Sequence, residues 1–340
     1  MTGFTDSTNF PTTANAFQAW TNLNHSTNAV LAFNGLAVPF DAFVAQFDTT
    51  LSAAASLSYS TLLGGTNNDA GYRIRMGPGN NVYVTGNSSS GDFPNINNVA
   101  AFPTNLTSGI YSTNIANYDA ILTKINFGVN PPAIVYSALF GGTNTESGWD
   151  VAVDPAGEAF VIGNTTSSNF PTANTFGLIR AYNSGSNDVF VTAFNANASA
   201  LLYSAYLGGT NDDFGYGIAV DPAGNAYIVG QTASANFPTT NALRTTLTST
   251  NDAFLAKILM TPPPQPTLAL ALAGPNALVS WPMLPFEPEL TNFFKLEFNT
   301  NVASTNPWTL VPQAPVVVNG FYTVTNAATS DALFFRLHAQ

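Results

Sequence analysis

Cysteine is absent from the 340 residues, which excludes disulfides, thiol nucleophiles and every zinc or iron–sulfur site built on thiolates. Charge is nearly as scarce, at 8% Asp, Glu, Lys and Arg, against about 25% in an ordinary globular domain. Only 8 residues are Lys or Arg against 19 Asp or Glu, a formal net charge of −11 with no basic cluster. Nucleic-acid binding needs clustered cationic side chains to displace the phosphate counterions, so nucleic acid is set aside as a partner, and an anionic membrane surface is disfavoured for the same reason. No apolar run reaches the ~18 residues of a transmembrane segment. The two histidines, His25 and His338, lie in a loop and near the chain's last residues, and neither assembles with a nucleophile and an acid into a triad. No Gly-rich phosphate loop opens a helix. The stretch Met1-Thr2-Gly3-Phe4-Thr5-Asp6 has neither the basic start nor the apolar core of a signal peptide.

What the chain does contain is apolar side chains, 45% of the total, in a background of Asn, Thr, Ser and Gly. Thr with Val, Ile, Tyr and Phe suits pleated strands, while Asn, Gly, Pro and Asp supply turns. A long unit then recurs. From Asp188 it reads DVFVTAF, YSAYLGGTNDD, GYGIAVDPAGNAYIVG and NFPTT. From Asp119 it reads DAILTKI, YSALFGGTNTE, GWDVAVDPAGEAFVIG and NFPTA, and from Asp41 DAFVAQF, YSTLLGGTNND, GYRIRMGPGNNVYVTG and DFPN. A fourth copy is split, its tail at Thr2–Phe17 and a head, DAFLAKI, at Asp252–Ile258. The Gly-Gly pairs at 64–65, 141–142 and 208–209 stand 77 and 67 residues apart. Each unit holds four short β-type runs, in the third copy Val189–Phe194, Leu201–Leu207, Tyr216–Asp221 and Ala226–Thr232. The last two flank Asp221-Pro222-Ala223-Gly224-Asn225, where Pro presets φ and Gly permits φ > 0. Four antiparallel strands per repeat is the unit of a propeller blade, whereas solenoid repeats usually run only ~20–45 residues.

These blocks resemble the SBBP-type bacterial β-propeller repeat over about Thr2 to Ile258. The resemblance implies an extracellular or envelope setting, with no catalytic activity common to the repeat, and it makes a truncated start our expectation for the missing leader. The copy from Asp41 departs from the pattern, with Arg73, Arg75 and Gly77 where the third has Gly217, Ala219 and Asp221, so its hairpin lacks the aspartate that opens the others. The count is 14 strands, about 3.5 four-stranded blades, either a four-bladed ring or a fragment of a larger propeller.

The expected domains are therefore 1–260, propeller repeats; 261–266, a stiff Pro-rich linker; and 267–340, a small β-sandwich. Seven short runs, Leu268–Leu272, Ala277–Trp281, Phe293–Phe298, Trp308–Val311, Val316–Val318, Tyr322–Thr325 and Leu333–Leu337, fit an immunoglobulin-like or fibronectin type III-like module. Its Trp281 and Trp308 are expected in the core.

Candidate sites are few. Asp69, Glu146, Asp212 and Asp213 follow the Gly-Gly pairs and offer oxygens suited to Ca²⁺, but local turn capping is the preferred reading, so no cofactor is assigned. Asp154 and Asp221 open hairpins, the Phe-Pro pairs read as wedges between blades, and Arg73, Arg75 and Asp150 suit a salt bridge. Long connectors at 8–40, 88–118, 166–187 and 233–251 emerge on one rim, and the two longest carry Phe17, Trp20, Phe33, Tyr111 and Tyr118. Long aromatic loops on a rigid scaffold are where binding sits. The expected function is thus non-catalytic: an extracellular or cell-surface binding protein for a glycan or a protein. A surface-layer or filament component that associates with itself is the alternative, and a propeller hydrolase or lyase comes third.

Overall fold

The computed structural model describes residues 1–7, 9–19, 40–96, 117–173, 187–240, 242–259, 268–273, 276–282, 294–299, 308–313, 315–318, 321–327 and 334–339. Its strands are β1 (Thr2–Thr5), β2 (Asp41–Phe47), β3 (Leu57–Leu63), β4 (Asp69–Met76), β5 (Asn81–Ser88), β6 (Asp119–Asn126), β7 (Ala133–Phe140), β8 (Glu146–Val153), β9 (Ala159–Thr165), β10 (Asp188–Phe194), β11 (Leu201–Leu207), β12 (Asp213–Val220), β13 (Ala226–Thr232) and β14 (Asp252–Ile258). They are followed by β15 (Ala269–Ala273), β16 (Asn276–Pro282), β17 (Phe294–Asn299), β18 (Thr309–Leu310), β19 (Val316–Val318), β20 (Phe321–Ala327) and β21 (Phe334–Ala339). Contacts divide the chain into two compact units, with β1–β14 in the first and β15–β21 in the second.

The first unit is four antiparallel sheets ordered β1-β2-β3, β4-β5-β6-β7, β8-β9-β10-β11 and β12-β13-β14. Each sheet lays its first strand across the preceding one: β4 meets β1 and β2, β8 meets β4, β5 and β6, and β12 meets β8, β9 and β10. Strands with neighbours on both faces read as unbroken apolar runs rather than alternating ones, and β9 and β10 are buried along their whole length. Close approach of the sheets requires a glycine third in each first strand. A Cβ on Gly148 would overlap Thr85 of the preceding sheet, and one on Gly215 would overlap Ile162. Just past this glycine the register slips, at Gly71/Arg73, Gly148/Asp150 and Gly215/Gly217. Such β-bulges re-aim a side chain, here Tyr72, Trp149 and Tyr216.

The core between the second and third sheets is aromatic. Phe140, Phe170, Phe190 and Phe194 cluster with Tyr83, Leu122 and Tyr206. Phe170, of the third Phe-Pro pair, stacks on Phe190 of its own sheet at 4.6 Å and meets Phe140 of the preceding sheet edge-on at 6.4 Å. Phe10 on Phe43 and Phe237 on Phe254, each 4.7 Å apart, repeat the first contact. The Phe-Pro pairs thus brace their own sheet first and the neighbour second.

Both regular hairpins close as their sequences require. Asp221 Oδ1 accepts the amides of Ala223 and Asn225, Asp154 Oδ1 accepts that of Glu158, and Gly224 and Gly157 take φ of 81° and 85°. The divergent first copy closes too: Gly77 donates to the Asn81 carbonyl at 2.8 Å, with Gly79 and Asn80 taking the positive φ. Losing the aspartate changes the cap and leaves the turn.

Asp150 ties three sheets together. It pairs with Arg73 Nε and Arg75 Nη2 of β4, each at 3.1 Å, and accepts the Ile218 amide of β12 at 3.3 Å. Both arginines are half exposed, so the ion pairs themselves contribute little. The Ile218 amide is buried, and leaving it unpaired costs about 1–3 kcal/mol. Asp150→Ala is expected to destabilise by that amount and Arg73→Ala by under about 1 kcal/mol, read from denaturant unfolding; equal effects would show that the ion pair dominates.

In the second unit, sheets β15-β16-β20-β19 and β18-β17-β21 share one cluster of Val279, Trp281, Leu296, Val311, Tyr322, Val324 and Leu337. All seven expected runs are strands. Trp281 is buried as expected; Trp308 is not, and instead lies under the Arg336 guanidinium, 4.6 Å from its ring, with Arg336 held by Glu297 at 2.7 Å. A cation over an indole face covers it without a closed core.

Candidate functional site

One rim of the first unit gathers the Gly-Gly loops and the long connectors, because β4, β8 and β12 start where β5, β9 and β13 end. The loop amides there are taken up in a repeating pattern. Gly65 donates to Asp69 Oδ2 at 2.7 Å, Gly142 to Glu146 Oε2 at 2.8 Å and Gly209 to Asp213 Oδ2 at 2.7 Å. The next amides, of Thr66, Thr143 and Thr210, go to Asp92, Asn169 and Asn236, two residues before each Phe-Pro proline. Those of Asn67, Asn144 and Asn211 go to the hydroxyls of Ser90, Ser167 and Ser234. Three of the four calcium candidates, Asp69, Glu146 and Asp213, are therefore strand residues that hold a loop.

Behind each stands a second acid that sequence reasoning passed over: Asp41, Asp119 and Asp188, the first residues of β2, β6 and β10. All six side chains are buried. Each pair converges on the first glycine of its Gly-Gly, and a Cβ on Gly64, Gly141 or Gly208 would overlap both carboxyl groups. The signal was present, since an Asp heads every apolar DAF, DAI or DVF block, where a charge has no reason to be unless it is held.

Burial disfavours the charged form. It pushes Asp41 up to about 7, with the charge of Asp92 adding to it. Burial likewise raises Asp69 to about 7 against the opposing hydrogen bonds of Ser88, Gly65 and Ser90. Asp119 is pushed up to about 8 by burial and then by the charge and hydrogen bond of Glu146. Glu146 is itself raised by burial, opposed by hydrogen bonds from Ser167, Thr165 and Gly142. Two acids facing one another cannot both ionise cheaply, so the Asp41–Asp69 and Asp119–Glu146 pairs each hold a proton near neutrality.

Asp212, the fourth candidate, has a different task from its neighbour. Its Oδ1 accepts the Asn187 amide at 3.0 Å, tethering the end of a connector as Asn68 Oδ1 tethers Phe40 at 3.4 Å. Among the described residues no group of three or more His, Cys, Asp or Glu side chains is arranged to hold a metal ion.

Among the aromatic loop candidates, Tyr118 is half-buried, its hydroxyl accepting from Asn68 Nδ2 at 3.0 Å and its carbonyl from the Glu146 amide at 2.6 Å. It anchors its connector. Phe17 is exposed; its neighbour Gln18 clamps Gly64 through paired side-chain bonds of 3.0 Å. Trp20, Phe33 and Tyr111 lie outside the described residues. The first three connectors do not rise directly from the rim. They first run down the outer strands, pairing Thr13 with Ser60, Ile96 with Ser137 and Ala173 with Ser204, which covers strand edges that would otherwise template aggregation. The bulges add a further aromatic set. Tyr72 stacks on Trp149 at 4.8 Å, and Tyr216, in the same position of the last sheet, is exposed.

The SBBP family, described as a beta-propeller repeat, matches residues 135–171 and 202–238. Each match runs from the outer strand of one sheet through the first two strands of the next and ends on a Phe-Pro pair. No curated protein matches the chain. The chain is all-β and carries SBBP repeats.

Proposed function

We propose that this is a non-catalytic, extracellular or cell-surface binding or scaffold protein, its sheets being blades of a β-propeller and its second unit an immunoglobulin-like or fibronectin type III-like sandwich. The partner is a glycan or a protein, met on the connector-bearing rim. What carries the reading is that the rim's connectors are pinned at both ends to a hydrogen-bonded frame in which Asp69, Glu146 and Asp213 already hold the Gly-Gly loops, an arrangement for presenting loops. Exposed aromatics on such a frame offer rigid area at low entropic cost. Glycan-array and pull-down signals should fall more than about tenfold, about 1.4 kcal/mol, in Trp20→Ala or Phe17→Ala with circular dichroism unchanged. A signal that survives both substitutions rejects the rim. The alternative, a surface-layer or filament component, draws support from apolar sheet faces left exposed at the two ends of the first unit.

A further inference from the structure

The repeats allow one position to be compared across sheets, and the last sheet is most exposed on one face. Leu122 in β6 is fully buried by the third sheet, whereas Leu255, its counterpart in β14, is 75% exposed. Thr85 and Ile162 are fully buried, but their counterpart Val229 is 45% exposed. Tyr83 and Phe160 are buried under the next sheet, but their counterpart Tyr227 is 37% exposed. Register puts Tyr227 opposite Lys257 and Val229 opposite Leu255, so these four side chains share one face. On the opposite face of the same sheet Ala226, Ile228 and Ile258 are buried and Phe254 and Ala256 half-buried. At the other end of the unit the complementary face is bare: Phe47 of β2 is 47% exposed, while its counterparts Ile125 and Phe194 are buried against the sheet before them.

From this we infer that a second copy of this chain docks head to tail, the β12–β14 face of one on the β1–β3 face of the next. Part of the contact to be made already exists inside the molecule, where Tyr83 and Leu122 of one sheet cluster with Phe190 and Phe194 of the following one. The first strand that also lies on those faces there, β8 or β12, has no equivalent in the three-stranded β1–β3 sheet, so Leu255 and Lys257 carry the contact. The polar component is conserved in kind. Lys124 lies 5.2 Å from the Tyr83 ring and donates to the Ala196 carbonyl of the next sheet at 2.9 Å. Lys257 lies 5.1 Å from the Tyr227 ring, and the carbonyl it would meet is that of Thr49, which follows Asp48 as Ala196 follows Asn195. The two faces differ, so the interface is heterologous: it closes into a ring where the rotation allows and otherwise propagates. This inference is independent of what the rim binds.

The test uses the whole chain and two surface variants, Leu255→Asp and Phe47→Asp, with mass followed by light scattering across concentration. Wild type should grow in mass with concentration. Each variant alone should be monomeric, its dissociation constant raised more than about tenfold, with the circular dichroism of wild type. Mixed, the two variants should form a one-to-one dimer and stop there, because each supplies the face the other lacks. Val229→Lys and Phe47→Ser provide the same pairing should an aspartate unfold its chain. A wild type that stays monomeric, a mixture that does not associate, or a Phe47→Asp variant that dimerises alone would each overturn the proposal.

Discussion

Thermal stability is expected to be greatest in mild acid and to fall as the pH rises from about 5 to about 8. The cause is the buried carboxyl pairs. In the unfolded chain Asp and Glu ionise near 4, whereas Asp41 and Asp69 are held up to about 7 and Asp119 up to about 8. Between those limits the folded state binds more protons than the unfolded one, so stability decreases with pH by about 1.4 kcal/mol per unit for each proton held. The contribution is complete below pH 4 and lost as the pH passes through 7 to 8. Asp119→Asn removes one titrating group while keeping a donor toward Glu146. It should flatten the slope by about one proton and exceed wild type at pH 8 by at least about 2 kcal/mol. Melting curves at half-unit intervals check both statements; a wild-type stability that rises from pH 5 to 8 contradicts them.

Phe190→Ala should cost about 3–5 kcal/mol. Phe190 is fully buried and touches Phe170 of its own sheet and, edge-on at 5.8 Å, Phe140 of the preceding one. The cavity it leaves is walled by two sheets whose spacing is fixed elsewhere by the close approach of Gly148 to Thr85, so collapse onto it is limited. At about 2–4 °C per kcal/mol for a domain of this size, the melting temperature should drop by about 6 °C or more. Leu243→Ala, at a fully exposed position, should stay within about 0.5 kcal/mol. A small effect at Phe190 would mean that the sheets do not share a core.

The strand content of the repeat was legible because the same four apolar runs recur between the same turn residues. β11 and β13 match the expected runs to the residue, and β10 begins one residue early, at Asp188. The first strand of each sheet was harder to read. Tyr216–Asp221 was expected, yet β12 begins at Asp213, because an acid beside a Gly-Gly reads as turn chemistry while its burial against Ser234 and the Gly209 amide depends on a residue about twenty positions away. The carboxyl pairs were hidden for a related reason: their members lie 25 to 28 residues apart and meet only where one sheet packs on the next. The bulges were illegible too, since Tyr72, Trp149 and Tyr216 continue the alternation that the register slip breaks. The exposed faces could not be foreseen, because the residues that carry them are those that are buried elsewhere in the repeat.

The non-catalytic reading rests on the claim that the rim's paired acids are structural groups holding protons, rather than metal ligands. Proton uptake on refolding at pH 6.5 in a pH-stat, with and without millimolar calcium, tests that claim most directly. Unfolded carboxyls are ionised at this pH, so the account predicts a net uptake of about two protons, one for each of the Asp41–Asp69 and Asp119–Glu146 pairs, and the same count with calcium present. No uptake, or an uptake that calcium abolishes, would contradict it.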